Sequence, residues 1–339
     1  MAVFVLCLGW LVLSLGVLIG YILMHLELLP IPIKHLYLFG KLRKRTEPPS
    51  FVRYADVPKR WFLHFYLIGL VCNTSALMII LEVWKVHLPG STEDILQVLH
   101  IGKANYRAEP SPVLPVLLVL VCEELQVLRR LYECMAVSVY SDSKMSVIHY
   151  FTGIIMYSTF GVSLLAELSA VSLPAELVRR ERMPTEGEGE LSLSLPLSEV
   201  SLLTEVVSRE RMPTEVNWGL SLPQCLGLVV FVWAWCKQYS LTKMLARLRT
   251  QSTSGSGDIS HHLPSGDLFE LVSCPHYLME ILLYTSFCLI TRFQSPTLNC
   301  VACFVLVNQL ISAQLTHTWY RASFYKYPPH RRAILPYLL

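Results

Sequence analysis

Val3–Met24 reads VFVLCLGWLVLSLGVLIGYILM and contains no charged residue. The hydrocarbon core of a bilayer is about 30 Å thick, so a helix needs about 20 apolar residues to cross it. This stretch meets that length. It is too long for a signal-peptide core, lacks a basic start and has no small-residue cleavage pattern. It is therefore expected to be retained as a first membrane helix. Working outward from it, six further apolar runs follow, at 61–84, 112–128 (continuing to 139), 145–171, 217–236, 276–291 and 294–315. Only Thr291 to Ser295 separate the last two, which read as a helical hairpin. The expected fold is all-α: a polytopic membrane protein with seven transmembrane helices.

Composition agrees. Of the 339 residues, 53% are hydrophobic and 16% charged, whereas soluble domains carry about 25% charged residues. That deficit excludes an ordinary soluble enzyme, a disordered regulator and a nucleic-acid-binding domain; a net charge of +3 leaves no nucleic-acid footprint. The ten cysteines are scattered, mostly in or beside apolar runs, and read as small buried hydrophobes rather than a disulfide framework. A single membrane-embedded domain, 1–339, is expected. It divides into a first helix and basic loop (1–60), a group of helices at 61–165, a connection at 166–216 and a C-terminal half at 217–339.

Charge sets the orientation. Between Lys34 and Arg60 lie eight basic residues (Lys34, Lys41, Arg43, Lys44, Arg45, Arg53, Lys59, Arg60) against Glu47 and Asp56. The segment 85–111 is balanced, and 167–216 holds ten glutamates and five arginines. The third connection carries Arg129, Arg130 and Lys144, the fifth Lys237, Lys243, Arg247 and Arg249, and the tail Arg321, Lys326, Arg331 and Arg332. Basic residues mark cytoplasmic loops. The alternation places the N-terminus in a lumen and the C-terminus in the cytosol. Within the fourth connection, Val171–Glu186 recurs as Val200–Glu215, identical at 12 of 16 positions. Two copies are too few for a solenoid, and the stretch is expected to be a poorly ordered loop without an assigned function. Gln251–Asp258 reads as a polar, flexible turn.

An ionisable group inside a membrane helix costs about 2.5–3.5 kcal/mol, so it faces a cavity or a partner. His64, Glu123, Glu124, Arg129, Arg130, Glu133, His149, Glu280 and His317 all fall near the cytosolic ends of the expected helices. Arg129 and Glu133 are four apart and share a helix face. Two readings fit Arg129, Arg130 and Glu133: an ion pair at a helix end, or an anion site in which Glu133 orients an arginine toward phosphate. Lys243, Arg247 and Arg249 with His261 and His262 are either surface charge or a second phosphate-binding group. No Walker or dinucleotide fingerprint is present, so a nucleotide would be held by side chains of the bundle. The Cys300-Val301-Ala302-Cys303 spacing has no second pair, and no metal site is expected.

Several motifs together resemble the steroid 5α-reductase family. They are Leu263–Glu280 (LPSGDLFELVSCPHYLME) and the tail, His317-Thr318-Trp319-Tyr320 followed by Tyr327–Tyr337 (YPPHRRAILPY). Ala55–Phe62 (ADVPKRWF), Arg129–Cys134 (RRLYEC) and Val137–Ser141 (VSVYS) resemble its polyprenal reductase branch. The resemblance implies an endoplasmic-reticulum membrane enzyme with NADPH as hydride donor, whose cofactor and substrate cavity lies inside the bundle. It implies saturation of the α-isoprene unit of a long polyprenyl substrate on the route to dolichol and N-glycosylation. It makes 217–339 the NADPH-binding half and 61–165 the substrate side. By the same resemblance Arg249 contacts cofactor phosphate, and Gln238, His276, Glu280, His317, Tyr320 and Arg331 fall in cofactor-facing motifs, beside Arg129, Arg130 and Glu133. Where the steroid enzymes carry a carbonyl-binding Gln-Glu pair, this chain has His64-Phe65; their third-helix tyrosine falls at Val127.

Hydride adds to an alkene only when the alkene is conjugated to an electron sink, so the substrate is expected to be the α,β-unsaturated aldehyde. Negative charge then builds on the carbonyl oxygen, which needs a hydrogen-bond donor. His64 is the leading candidate donor, with His317 and Tyr320 as alternatives. Two other functions stay open: a steroid enone reductase, and a non-catalytic seven-helix membrane protein.

Overall fold

The computed structural model describes residues 2–38, 56–87, 113–140, 144–172, 220–253 and 262–336. The basic loop at 39–55, most of the repeated segment, Gly255-Ser256-Gly257 and His261 lie outside the described residues. Among the described residues, seven long helices occupy the expected positions: α1 (Ala2–His25), α3 (Phe62–His87), α4 (Val113–Tyr132), α5 (Val147–Ser172), α6 (Leu222–Thr253), α7 (Pro275–Ile290) and α8 (Pro296–Ser323). A short α2 (Ile31–Tyr37) follows the first.

Three features depart from the expectations. First, α6 runs 17 residues past 236, because Lys237 to Thr253 contains neither Gly nor Pro and is rich in good helix formers. Gln251–Thr253, expected to open a turn, are helical, and the rest of that stretch lies outside the described residues. Second, α4 continues into a π-turn, Glu133–Val137, whose extra residue rotates the end of the helix. Third, the molecule is not purely helical. β1 (Asp56–Pro58) pairs antiparallel with β2 (Lys144–Ser146), with Val57 opposite Met145. Pro58 lacks an N–H to donate, which suits so short an edge. The ribbon ties the start of α3 to the start of α5.

The helices pack in a closed ring: α1 on α8, α8 on α7, α7 on α6, α6 on α4, α4 on α3, α3 on α5, and α5 back on α8 and α1. Close approach needs small residues. A Cβ at Gly227 would lie 2.9 Å from the Ser286 carbonyl and 2.8 Å from Ile290 Cγ1, so α6 and α7 touch backbone to backbone there.

Among the described residues, four helices are long and apolar enough to cross a bilayer: Val3–His25, Lys59–Leu81, Val147–Glu167 and Pro296–Ser323. On α1, Phe4, Val5, Val12, Leu15 and Ile19 are all at least half exposed. A continuous apolar surface of that kind is stable against lipid and unstable against water. The chain is a multi-pass membrane protein. α4, α6 and α7 fall outside those four because polar residues interrupt their apolar sequence or, for α7, because it is only 16 residues long. These three helices carry the site.

Candidate functional site

The interior of the ring is polar where α4, α6 and α7 meet. Arg129, 7% exposed, donates to Gln126 Oε1 at 2.7 Å, to Gln238 Oε1 and to the Trp235 carbonyl, and its guanidinium lies 5.3 Å from the Trp235 ring centroid. Gln238 in turn donates to Glu280 Oε2 and to the His276 carbonyl at 3.5 Å, while Gln126 Nε2 donates to Gln238 Oε1 at 3.3 Å. One hydrogen-bonded chain thus links three helices through two primary amides. Burying such groups is costly unless they are paired, and here nearly all are. Among the described residues, Glu123 Oε2, Arg129 Nε and Glu133 Oε1 are buried without a hydrogen bond, the last two lying 3.6 Å apart as an ion pair.

Glu133 is fully buried and joins both arginines. Arg129 Nε lies 3.6 Å from Oε1, and Arg130 Nη1 bonds Oε2. Arg130 also donates through Nε to the Tyr66 hydroxyl at 3.1 Å, with its guanidinium 5.3 Å from that ring's centroid. Tyr66, Tyr157 and Tyr284 share electrostatic range with Glu123 or Glu280, so four helix faces converge on this region.

The C-terminal motifs form a second group at the same end. Ser273 Oγ bonds His317 Nδ1 at 2.6 Å and the Tyr327 hydroxyl, and it reaches the Arg332 carbonyl at 3.1 Å. Tyr327 stacks on Tyr320. Backbone bonds from Ser273 to Arg332 (2.8 Å) and from Cys274 to Ala333 (3.1 Å) dock the tail against the entry to α7. Arg331, 4% exposed, acts as a strut: it donates to the Pro264 carbonyl at 2.7 Å and to Glu270 at 3.0 Å. The Gly266 N–H, then Arg331, hold the Glu270 carboxyl below its ordinary range. Nearby, Gly266 and Asp267 both have positive φ, and Lys237 anchors Asp267 at 2.9 Å.

Between the end of α4 and α6 opens a cleft of about 350 Å³. Tyr132 and Val137 line it on one side, and Tyr239, Lys243, Arg247 and Thr250 on the other. Lys243 Nζ sits 5.0 Å from the Tyr239 ring centroid. Arg249 leaves the cleft and donates to the Val139 carbonyl at 3.2 Å, within electrostatic range of Lys59, Tyr277 and Tyr320.

The fold therefore brings Arg129, Arg130, Glu133, Gln238, His276 and Glu280 into one cluster. His317, Tyr320 and Arg331 lie in the neighbouring tail group. His64 stands apart: its Nδ1 meets the Tyr150 hydroxyl at 3.0 Å, and its ring packs against Trp61, on the α3–α5 side. The residues not anticipated are Gln126 and Tyr66. Glu123, Gln126, Arg130 and Glu133 recur at spacings of three and four along α4 and into its π-turn, a pattern that marks Gln126. Nothing in the sequence alone distinguishes Tyr66 from an interfacial aromatic.

Comparison with known proteins bears directly on this arrangement. A family model described as 3-oxo-5-alpha-steroid 4-dehydrogenase matches residues 207–339, which span α6 to the tail. The polyprenal reductase of Xenopus tropicalis is 31% identical over 305 residues, covering 88% of this chain and 86% of the relative. The chain belongs to the steroid 5-alpha-reductase family, in its polyprenal reductase branch. Further members of that branch include the polyprenal reductase of Caenorhabditis elegans, 31% identical over 91% of this chain and 87% of the relative. The human polyprenal reductase is 30% identical over 88% and 84%, respectively. The names indicate an oxidoreductase acting on a CH–CH bond.

Proposed function

We propose that this protein is an NADPH-dependent polyprenal reductase of the endoplasmic reticulum membrane. It saturates the α-isoprene double bond on the route to dolichol. The alignment with polyprenal reductases along 88% of the chain carries the reading. We take all seven long helices as membrane crossings, with the N-terminus luminal and the C-terminus cytosolic.

The residues present fit a dinucleotide. Lys243 and Arg247 supply cations at the rim of the cleft, with Arg249 beyond them, and α4 and α6 run from that cleft straight into the amide cluster. Glu123 Oε2, buried without a hydrogen-bond partner among the described residues, offers an acceptor for a carboxamide N–H. Gln126, Gln238 and Glu280 would orient the nicotinamide, and His276, His317, Tyr320 and Arg331 would shape the entry from the tail side. When bound, NADPH supplies the hydride. The protein contributes positioning, a dry interior and a donor for the carbonyl oxygen. Arg129 and Glu133 hold Gln238 and Arg130 in fixed rotamers, so the polar groups are oriented before substrate arrives. The apolar helix faces admit the polyisoprene tail, and its aldehyde reaches the polar interior.

Membranes holding the full chain, given a labelled polyprenal and NADPH, should yield the saturated aldehyde. Absence of that product with active membranes overturns the reading. The family model's steroid description favours one further assay: a 3-oxo-4-ene steroid presents the same conjugated acceptor and is the side activity to measure.

A further inference from the structure

We infer that Tyr66 is the group that donates a hydrogen bond to the substrate's carbonyl oxygen, and that Arg130 and Glu133 position it. The inference rests on the polyprenal reductase reading above.

Tyr66 is 5% exposed and lies on the face of α3 turned to α4. Its oxygen accepts from Arg130 Nε at 3.1 Å, and its own O–H has no acceptor among the described residues. A phenol that accepts from a cation is polarised to donate more strongly through its hydrogen. Arg130 is not free to swing away, because fully buried Glu133 bonds it from the π-turn. The Tyr157 ring, edge-on at 5.2 Å, fixes the phenol plane. Tyr66 packs with Val127, Leu131 and Cys134 in a cluster separate from the main core, bordered by Phe62, Leu63, Leu70, Tyr140 and Tyr157. A polar donor beside an apolar cluster, next to the polar group that would hold a nicotinamide, suits an enal at the end of an isoprenoid. His64 lies two residues away, about 200° around the helix, and its Nδ1 is already engaged by Tyr150.

The step balances. Hydride forms a bond to the β carbon, and the alkene's π pair shifts toward the carbonyl, whose oxygen takes the negative charge. Tyr66 O–H bonds that oxygen. A proton from solvent then adds at the α carbon and the carbonyl re-forms. The enal is reduced by two electrons and NADPH is oxidised to NADP+.

The test uses the full-length chain in lipid nanodiscs with a polyprenal and NADPH. Tyr66→Phe keeps the ring and removes only the hydroxyl. Its kcat should fall about 10²–10³-fold, with NADPH affinity within about threefold of wild type. Its affinity for the saturated aldehyde, measured without cofactor, should also weaken. If wild type reduces no polyprenal, the underlying reading fails. If wild type is active and Tyr66→Phe matches it, the Tyr66 assignment alone fails. Loss of NADPH binding together with turnover also overturns it, since the hydroxyl would then serve the fold. A collapse of activity in His64→Phe with Tyr66→Phe intact would hand the role to His64.

Discussion

Arg129 shows how a single side chain can set the cost of a buried cluster. Its guanidinium serves Gln126, Gln238, the Trp235 carbonyl and Glu133 at once. Breaking a buried ion pair from one side leaves an uncompensated charge, which costs about 3–5 kcal/mol. Arg129→Met should therefore lower the thermal unfolding midpoint in detergent sharply, whatever it does to turnover. Lys243 makes the opposite case. It lies at the rim of the open cleft over Tyr239, and removing it disturbs no buried partner. Lys243→Ala should leave the midpoint unchanged while raising the NADPH dissociation constant about tenfold. Added salt should shrink that difference, because the contact is solvent-exposed.

At the scale of elements, the contact of α6 with α7 sets the register between Gln238 and Glu280. Gly227 permits it, since any Cβ there would meet the Ser286 carbonyl and the Ile290 amide. Overpacking a tight contact costs about 1–3 kcal/mol. Gly227→Ala should lower both stability and turnover, whereas Gly16→Ala on α1, with nothing within 4 Å, should do neither. Thermal melts and initial rates on the two variants check this. The tail offers a pH test. Glu270's carboxyl is held below its ordinary value in the folded chain, so its contribution is present above the unfolded value of about 4.3. It is lost as pH falls through the folded value. Because the Glu270 side chain is 52% exposed, the effect is small. The protection factor over residues 324–336, with exchange corrected for the intrinsic rate at each pH, should be flat from pH 5 to 8 and should fall below about pH 4.

For the whole molecule, the ring gathers the ends of α4, α6 and α8 with the starts of α3, α5 and α7. The β ribbon, the Ser273 group and the polar cluster thus lie toward one end. At the other end, Glu167 accepts from Thr297 N at 2.7 Å. With the proposed orientation, a glycosylation acceptor introduced between 39 and 55 should stay unmodified, and one between 173 and 219 should be glycosylated. The reverse result would invert the topology. Most of the architecture was legible in order along the chain. A bilayer demands long apolar helices with internally satisfied backbones, so helix number and position follow from hydropathy. The Arg129–Glu133 pair followed from helical spacing. The length of α6 did not, because apolarity marks what lies in lipid and not where a helix stops. Nor did the ribbon, whose short strands lack a periodic pattern. The chain alone determined that there would be apolar helices with costly polar groups near one end. Only the tertiary structure decided that Glu133 grips two arginines, that Gln238 bridges α4 to α7, and that Tyr66 rather than His64 faces the interior. Those choices turn on how each helix is rotated about its axis, which its neighbours set by packing and its own sequence does not encode alone.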